Sequence, residues 1–422
     1  TAGELILLRA VMGLAAAMIM PATLSILTNV FPPKERAKAV GIWAGVSGAG
    51  VALGPLLTGF MLEHFSWHAT FLINVPIIAV TIIAAAALVP RTADPAHTNL
   101  DPVGAGLSIV GLVALVYALI EAPAHGWLSA TTLLVGGGGL AVLGLFVWWE
   151  LKRKSHAMLD VRLFKIPAFG VSSLALTLVF FAMMGAFFSF SLLLQLIFGY
   201  SPLGSAVRML PVAATLMVVA PFSTKVVEKF GKRRVVSVGM LLVAASMFLF
   251  ARVGIDTPYL QFALTMVLMA SGMGLAMSPT TDLLMSAVPR NRAGMGSAMN
   301  DTTRELGGAL GIAVLGSILA SQYSSKIAPA LAGLPDAAKT VAEKSLAGAM
   351  GVGQQVGGAA GAQIIQAAKE AWMSGFQHSL IVGAVLIALA ALISFFGLPD
   401  NAADHVVEKI PEEGGFEAEA KP

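Results

Sequence analysis

The sequence predicts an all-α integral membrane protein, and three observations carry that expectation. Of the 422 residues, 57% are hydrophobic and only 12% charged, about half the charge of an ordinary soluble chain. The apolar residues fall in blocks of about twenty, the length a helix needs to cross a hydrocarbon core roughly 30 Å thick. Basic residues gather in alternate connections between these blocks, as they do where one side of a membrane retains positive charge. So apolar a composition excludes a nucleic-acid-binding domain and a disordered chain, and the 26 basic and 23 acidic residues nearly cancel. The absence of cysteine excludes a disulfide scaffold, a thiolate zinc site and a cysteine nucleophile. The seven histidines are too scattered for a metal cluster, and neither metal nor cofactor is expected.

Eleven spans are predicted, at 4–28, 39–62, 69–89, 103–121, 130–149, 168–198, 203–224, 234–252, 258–287, 294–320 and 374–397. Sorting the connections by side puts sixteen basic residues on one side, from Lys34 and Arg36 through Lys152, Arg153 and Lys154 to Lys225, Lys229, Arg234, Arg290 and Arg292. The short connections opposite, near 63–68, 122–129, 199–202 and 253–257, hold none, with Arg252 at a border. The basic side is therefore expected to be cytoplasmic, with Thr1 outside and the C-terminus inside. The chain opens within an apolar stretch, without an initiator methionine. A chain incomplete at its N-terminus, lacking an odd number of spans, is expected.

Two segments fit no span. Residues 321–373 are expected outside, as a hairpin of two helical patches, 336–348 and 354–372, resting on the outer mouth. It either gates release or is a tolerated insertion, since long surface loops cost little thermodynamically. The acidic tail 400–422 is expected to be mobile on the cytoplasmic side.

Three motifs stand out. In the first span, Arg9 precedes Met12, Gly13 and Ala15. A membrane arginine either faces a protein interior with a partner or snorkels to the surface, and position favours neither. The second span reads Gly50-x-x-x-Gly54-Pro55-x-x-Thr58-Gly59, where glycines admit a close helix and the proline permits a kink. Between the seventh and eighth spans lies Glu228-x-x-Gly231-Lys232-Arg233-Arg234, an acid, a glycine and a basic cluster in a tight turn.

Together these motifs resemble the major facilitator superfamily, specifically its proton-coupled drug antiporters of the fourteen-span type. The first is similar to the family's fourth-span arginine motif, with Met12 and Ala15 replacing the usual glutamine and glycine. The second resembles the fifth-span antiporter signature, with Thr58 in place of a glycine. The third resembles the loop motif of the second half, with Glu228 for aspartate. The resemblance implies that residues 1–90 are spans four to six of an N-terminal bundle. It makes 91–150 a cytoplasmic linker with two inserted spans, which Leu100-Asp101-Pro102-x-Gly104 opens in the usual way. Residues 151–398 become the C-terminal bundle, including the outer loop, and 399–422 a cytoplasmic tail. The implied fold is two six-helix bundles plus two extra spans, with the first three spans missing. The long outer loop further resembles quaternary-ammonium and methyl-viologen efflux pumps.

Three acids sit within predicted spans: Asp282, Asp301 and Glu305. A carboxylate at such depth is costly unless paired or protonated, and can trade a proton for a cationic ligand. Asp301 and Glu305, four residues apart, share a helical face, with Arg304 to one side. Either Arg304 permanently neutralises one acid and locks helices together, or at least one carboxylate binds substrate and proton. One arginine cannot neutralise two carboxylates, which favours the second reading. Asp282 is as readily a hydrated residue of the cytoplasmic vestibule. Met183, Met184, Phe187, Phe188 and Phe190 are candidates for a soft wall against flat cations. His64 and His68 flank Trp67 as interfacial anchors.

The leading expectation is a bacterial inner-membrane antiporter, monomeric, exporting small lipophilic cations in exchange for protons. No phosphate-binding Gly-x-x-x-x-Gly-Lys-Ser/Thr is present, so the energy is expected from an ion gradient, the proton gradient in the leading reading, or from the solute's own gradient. Alternatives are export of a neutral or anionic solute against Arg304 or Arg9, or a membrane protein without transport activity. No nucleophile elbow or paired-histidine metal motif marks an enzyme.

Overall fold

A computed structural model describes residues 2–30, 50, 53–89, 101–153, 158–288 and 293–399. The acidic tail, most of the expected second span, and the basic residues at 34–38, 91, 290 and 292 lie outside the described residues. The helices are α1 (Ala2–Val30), α2 (53–64), α3 (Ala69–Leu72), α4 (Asn74–Leu88), α5 (Pro102–His125), α6 (Ala130–Arg153), α7 (Pro167–Leu192), α8 (Pro202–Phe230), α9 (Lys232–Phe250) and α10 (Tyr259–Ser286). They continue with α11 (Ala293–Ile327), α12 (Asp336–Lys344), α13 (Leu346–Val356) and α14 (Gly358–Gly397). Among the described residues no strand occurs, and nine helical segments are long and apolar enough to cross a membrane.

Helices α7, α9, α10, α11 and α14 pack as one bundle, with α8 against α10. At its heart Phe190 lies 4.5 Å from Phe250 and 5.1 Å from Phe262 between ring centroids, with Phe376 at 6.3 Å. All four rings are fully buried. Offset and edge-on aromatic contacts of this kind add to the dispersion gained by burial. In contrast α4 buries no residue, and Ile77, Ile78, Ile82 and Ile83 are exposed, as a lipid-facing surface requires.

Between membrane helices the hydrophobic effect has little to drive, so small residues set the approach. Gly307 and Gly311 of α11 lie so close to the Thr177 and Phe181 carbonyls of α7 that any Cβ would collide with backbone. Gly239 of α9 and Gly272 of α10 are similarly pressed together.

Helices α5 and α6 form a hairpin. Asp101 caps α5 by accepting from Gly104 N at 2.9 Å, with Pro102 at the first helical position. The hairpin also reaches the bundle, because Ser317 Oγ of α11 donates to the Leu119 carbonyl and Trp127 Nε1 donates to Ser321 Oγ at 3.3 Å. The turn from α8 to α9 takes a single residue, Gly231, at φ 81°. That left-handed conformation explains why a glycine sits there.

The far end of the bundle departs from the expected outline. The last helix begins at Gly358, not near 374, and runs for 40 residues, about 60 Å at the usual rise and twice the hydrocarbon thickness. Helix α11 likewise continues beyond the expected end at 320, to Ile327. With α12 and α13 these extensions enclose a core of Leu331, Ala342, Leu346, Ala349, Val352, Ile364 and Ala368, and Tyr323 donates to the Ala342 carbonyl at 2.8 Å. The two expected patches are divided differently, at Ser345, which caps α13, and at Gly357. Hydropathy marks where lipid contact starts. It does not mark where a helix starts, and 358–373 is helical but mixed in polarity.

Candidate functional site

The membrane acids sit on α11 where it crosses α7 and α10. Because Gly307 and Gly311 bring α11 flush against α7, Phe180 of α7 reaches over the Arg304 guanidinium, 5.4 Å from its carbon. Arg304 Nη2 donates to Thr281 Oγ1 of α10 at 3.1 Å. Its buried Nε has no hydrogen-bond partner. Asp301, one turn earlier, interacts electrostatically with Arg304, and one of its oxygens accepts from Asn300 Nδ2 at 3.4 Å. The hydroxyls of Thr302 and Thr303 donate to carbonyls of their own helix, so the polar contacts of this turn with other side chains are made by the Asp301 carboxyl and the Arg304 guanidinium.

Glu305 does not join Asp301 as the spacing suggests. It lies exposed in a stripe with Thr302 and Ala309, while Asp301 is half-buried. Among the described residues no hydrogen bond or ion pair connects the two acids.

Asp282 follows Thr281 directly on α10, three residues beyond Pro279. Its carboxylate is ion-paired with Lys232 Nζ, the basic residue at the start of α9. The next residue, Arg233, lies over the Phe395 ring of α14 at 5.0 Å, while Glu228 is exposed. The loop motif thus ties α9 to α10 and α14 around the Gly231 turn. Adjacent residues of α10 therefore hold Arg304 on one side and Lys232 on the other.

Of the other motif residues, Arg9 is exposed on α1. Gly50 and Gly54 face open space, and Pro55 is exposed. Gly59 alone among the described glycines of this motif meets another helix: a Cβ there would lie 2.9 Å from Leu203 Cα at the start of α8. One turn on, Glu63 Oε1 accepts from Leu203 N at 3.1 Å, placing a carboxylate at the positive end of α8. Sequence reasoning missed this contact, since Glu63 reads as an ordinary loop acid.

It also missed Arg208, six residues into α8. Its guanidinium carbon lies 3.6 Å from the Tyr200 centroid and 5.5 Å from that of Tyr259. Nη1 donates to Gly204 O at 3.1 Å, and Tyr259 donates its hydroxyl to the Arg208 carbonyl at 2.8 Å. Counting membrane bases as carefully as acids would have found it. The expected wall of Met183, Met184, Phe187, Phe188 and Phe190 divides. Met183 and Phe190 are core, Met184 and Phe187 are half-buried, and Phe188 is exposed. His64 stacks on Phe60 and His68 on Trp67, at 4.3 and 3.8 Å, both locally satisfied.

The chain is 32% identical to the multidrug efflux pump LfrA of Mycolicibacterium smegmatis over 91% of its own length and 76% of the relative's. It is 33% identical to the methyl viologen resistance protein SmvA of Salmonella typhimurium, over 94% and 80% respectively. To the tetracenomycin C resistance and export protein of Streptomyces glaucescens it is 30% identical, over 96% and 77%. In fold it is similar to a bacterial homologue of the human lysosomal transporter Spinster, solved inward-facing and occupied. The TM-score there is 0.52 at 18% identity, covering 92% of this chain and 75% of that one. Residues 1–312 match the Major Facilitator Superfamily, and the chain belongs to that family: it is a multi-pass membrane transporter and not an enzyme.

Proposed function

We infer that this chain is part of a proton-coupled antiporter of the bacterial inner membrane that exports small lipophilic, often cationic drugs and antiseptics by alternating access. The resistance and efflux functions named for its relatives support drug export. The observation that carries the cationic and proton-coupled reading is the charge balance of one helix. Within five residues of α11 the sequence places two carboxyl groups, Asp301 and Glu305, and one arginine, Arg304, which interacts with Asp301 while Glu305 lies exposed. The excess carboxyl is neutralised by a proton or by a cationic solute. Exchange requires that the two compete, because a site holding both in every state would exchange nothing.

Alternating access needs contacts between halves that form on one side and part on the other. The seating of Gly59 and Glu63 against Leu203 suits an outer closure, on the side opposite the basic connections. The basic side is then cytoplasmic, as is the C-terminus, and the protein works as a monomer. The α11–α14 subdomain sits over the outer mouth.

A second reading, export of a neutral or anionic solute, draws support from Arg304, whose buried Nε lacks a partner. Inverted membrane vesicles containing the protein separate the two. Adding a quaternary ammonium compound dissipates an imposed proton gradient if the first reading holds. An unchanged gradient with that compound, together with dissipation by an organic anion, favours the second.

A further inference from the structure

At the basic end of the α5–α6 hairpin, two buried carboxyl groups meet a single guanidinium. The Asp101 side chain is fully buried and pairs with Arg153 Nη1 at 2.8 Å. It also accepts from Gly104 N at 2.9 Å and from Trp149 Nε1 at 3.1 and 3.2 Å. Burial pushes its carboxyl up, but the bonds from Gly104 and Trp149 and the Arg153 charge outweigh burial and hold it below the ordinary carboxylate range. Asp101 and Arg153 therefore form a closed ion pair.

Glu150, one turn before the end of α6, is 2% exposed. Its Oε2 accepts from Leu159 N at 3.0 Å, fastening α6 to the segment that leads through the short helix Val161–Lys165 into α7. Its Oε1 is buried without a hydrogen-bond partner. That oxygen and Asp101 both border Gly104: a methyl group there would sit 2.5 Å from Glu150 Oε1 and 3.0 Å from Asp101 Oδ2. A glycine at 104 leaves this space open between the two carboxyls.

Among the described residues no second cation is paired with Glu150. Lys152 lies over Trp148 at 5.1 Å, Asp160 caps the short helix through Arg162 N, and α7 carries no ionisable residue from Pro167 to Leu192. Arg162 and Lys165 lie within the short helix. Leu163 of the short helix packs with Leu284, Ala287 and Val288 at and just beyond the end of α10. Lys154 and His156 lie outside the described residues. An ionised carboxylate with an orphan buried oxygen beside a second carboxylate is heavily disfavoured. A proton on Oε1 removes both problems, since a protonated carboxyl gains one donor.

We propose that Glu150 and Asp101 form a proton-binding site, the proton carried on Glu150 Oε1 and directed at Asp101 Oδ2, which fastens the α5–α6 hairpin to the start of the α7–α14 bundle. When the proton leaves, two carboxylates share one arginine. Glu150 turns out to solvent, and the Leu159 amide loses its acceptor. The site does not depend on which compounds the protein carries.

Trp149 reports on the site directly, because its indole N–H is bonded to Asp101. The emission of the purified protein, less that of Trp149→Phe, is followed from mildly acidic to mildly alkaline pH. A single one-proton step is expected, retained in His156→Gln and lost in Glu150→Gln, which keeps an acceptor for Leu159 but cannot titrate. A step unchanged by Glu150→Gln, or no step traceable to Trp149, overturns the proposal. Hydrogen exchange at the Leu159 amide in the unaltered protein is a second measurement that survives any misfolding of the variant. Corrected for intrinsic rate, protection falls by about tenfold across the same step, as expected for loss of one hydrogen bond to a carboxyl group. Constant protection also overturns it.

Discussion

Lys232, the first residue of α9, is ion-paired with Asp282 of α10, while the preceding residue, Thr281, accepts from Arg304 of α11. One turn of α10 is thus the junction between the loop motif and the membrane acids. The pair is exposed on its acidic side, so its contribution to stability is small, about 1 kcal/mol or less. Its expected importance is positional. Lys232→Asp alone impairs transport, and the exchange Lys232→Asp with Asp282→Lys restores at least half of it in a whole-cell efflux assay. If Asp282 instead binds the transported solute, the exchange fails to restore activity although the protein folds.

The crossing of α7 and α11 tolerates no side chain at Gly311, where a Cβ would strike the Phe181 carbonyl. Gly311→Val is expected to lower stability by about 1–3 kcal/mol through overpacking, seen as a reduced melting temperature in detergent. Gly316→Ala, whose nearest neighbour is Phe188 Cε1 at 3.8 Å, leaves the melting temperature within error.

Helices α12 and α13 lie at the far end of the core they share with the bundle, and damage there is expected to stay local. Ala349→Asp places an unpaired charge in a fully buried position. Rapid protease cleavage between 332 and 357 is expected, with membrane insertion unchanged. Loss of insertion would show that the subdomain and the bundle fold as one unit.

Asp101 has a defined pH signature. Its folded-state carboxyl is held below the ordinary range, so its contribution is complete above the unfolded value and is lost as pH falls through the folded one. Asp101→Asn is therefore less stable than the unaltered protein at neutral pH, by about 1–3 kcal/mol. The difference narrows on acidification below the ordinary carboxylate range, as melting at several pH values will show.

Much of this was legible from residue order because it is local. The apolar blocks, the Asp101 cap with Pro102 and the Gly231 reversal each depend on neighbours within a few positions. The start of α14 was not, because the mixed polarity of 358–373 reports packing against α13 and not lipid contact. Nor were the partners of the site residues. Lys232 and Asp282 are 50 positions apart, and only the glycine-set crossings bring their helices together. Asp301 and Glu305 share a face only approximately, since four residues turn a helix by about 40° more than one revolution. That offset lets neighbouring helices cover one acid and leave the other exposed.

The central claim, that the α11 acids exchange a proton for a cationic solute, is tested most directly by substrate-driven proton movement in proteoliposomes. Asp301→Asn and Glu305→Gln remove titration while preserving shape and some hydrogen bonding. At least one of them is expected to abolish proton movement driven by a dicationic substrate, with a smaller loss for a monocation, which has less Coulomb energy to lose in a low-dielectric cavity. If both variants, reconstituted at equal density, move protons as the unaltered protein does with mono- and dications alike, the claim is contradicted.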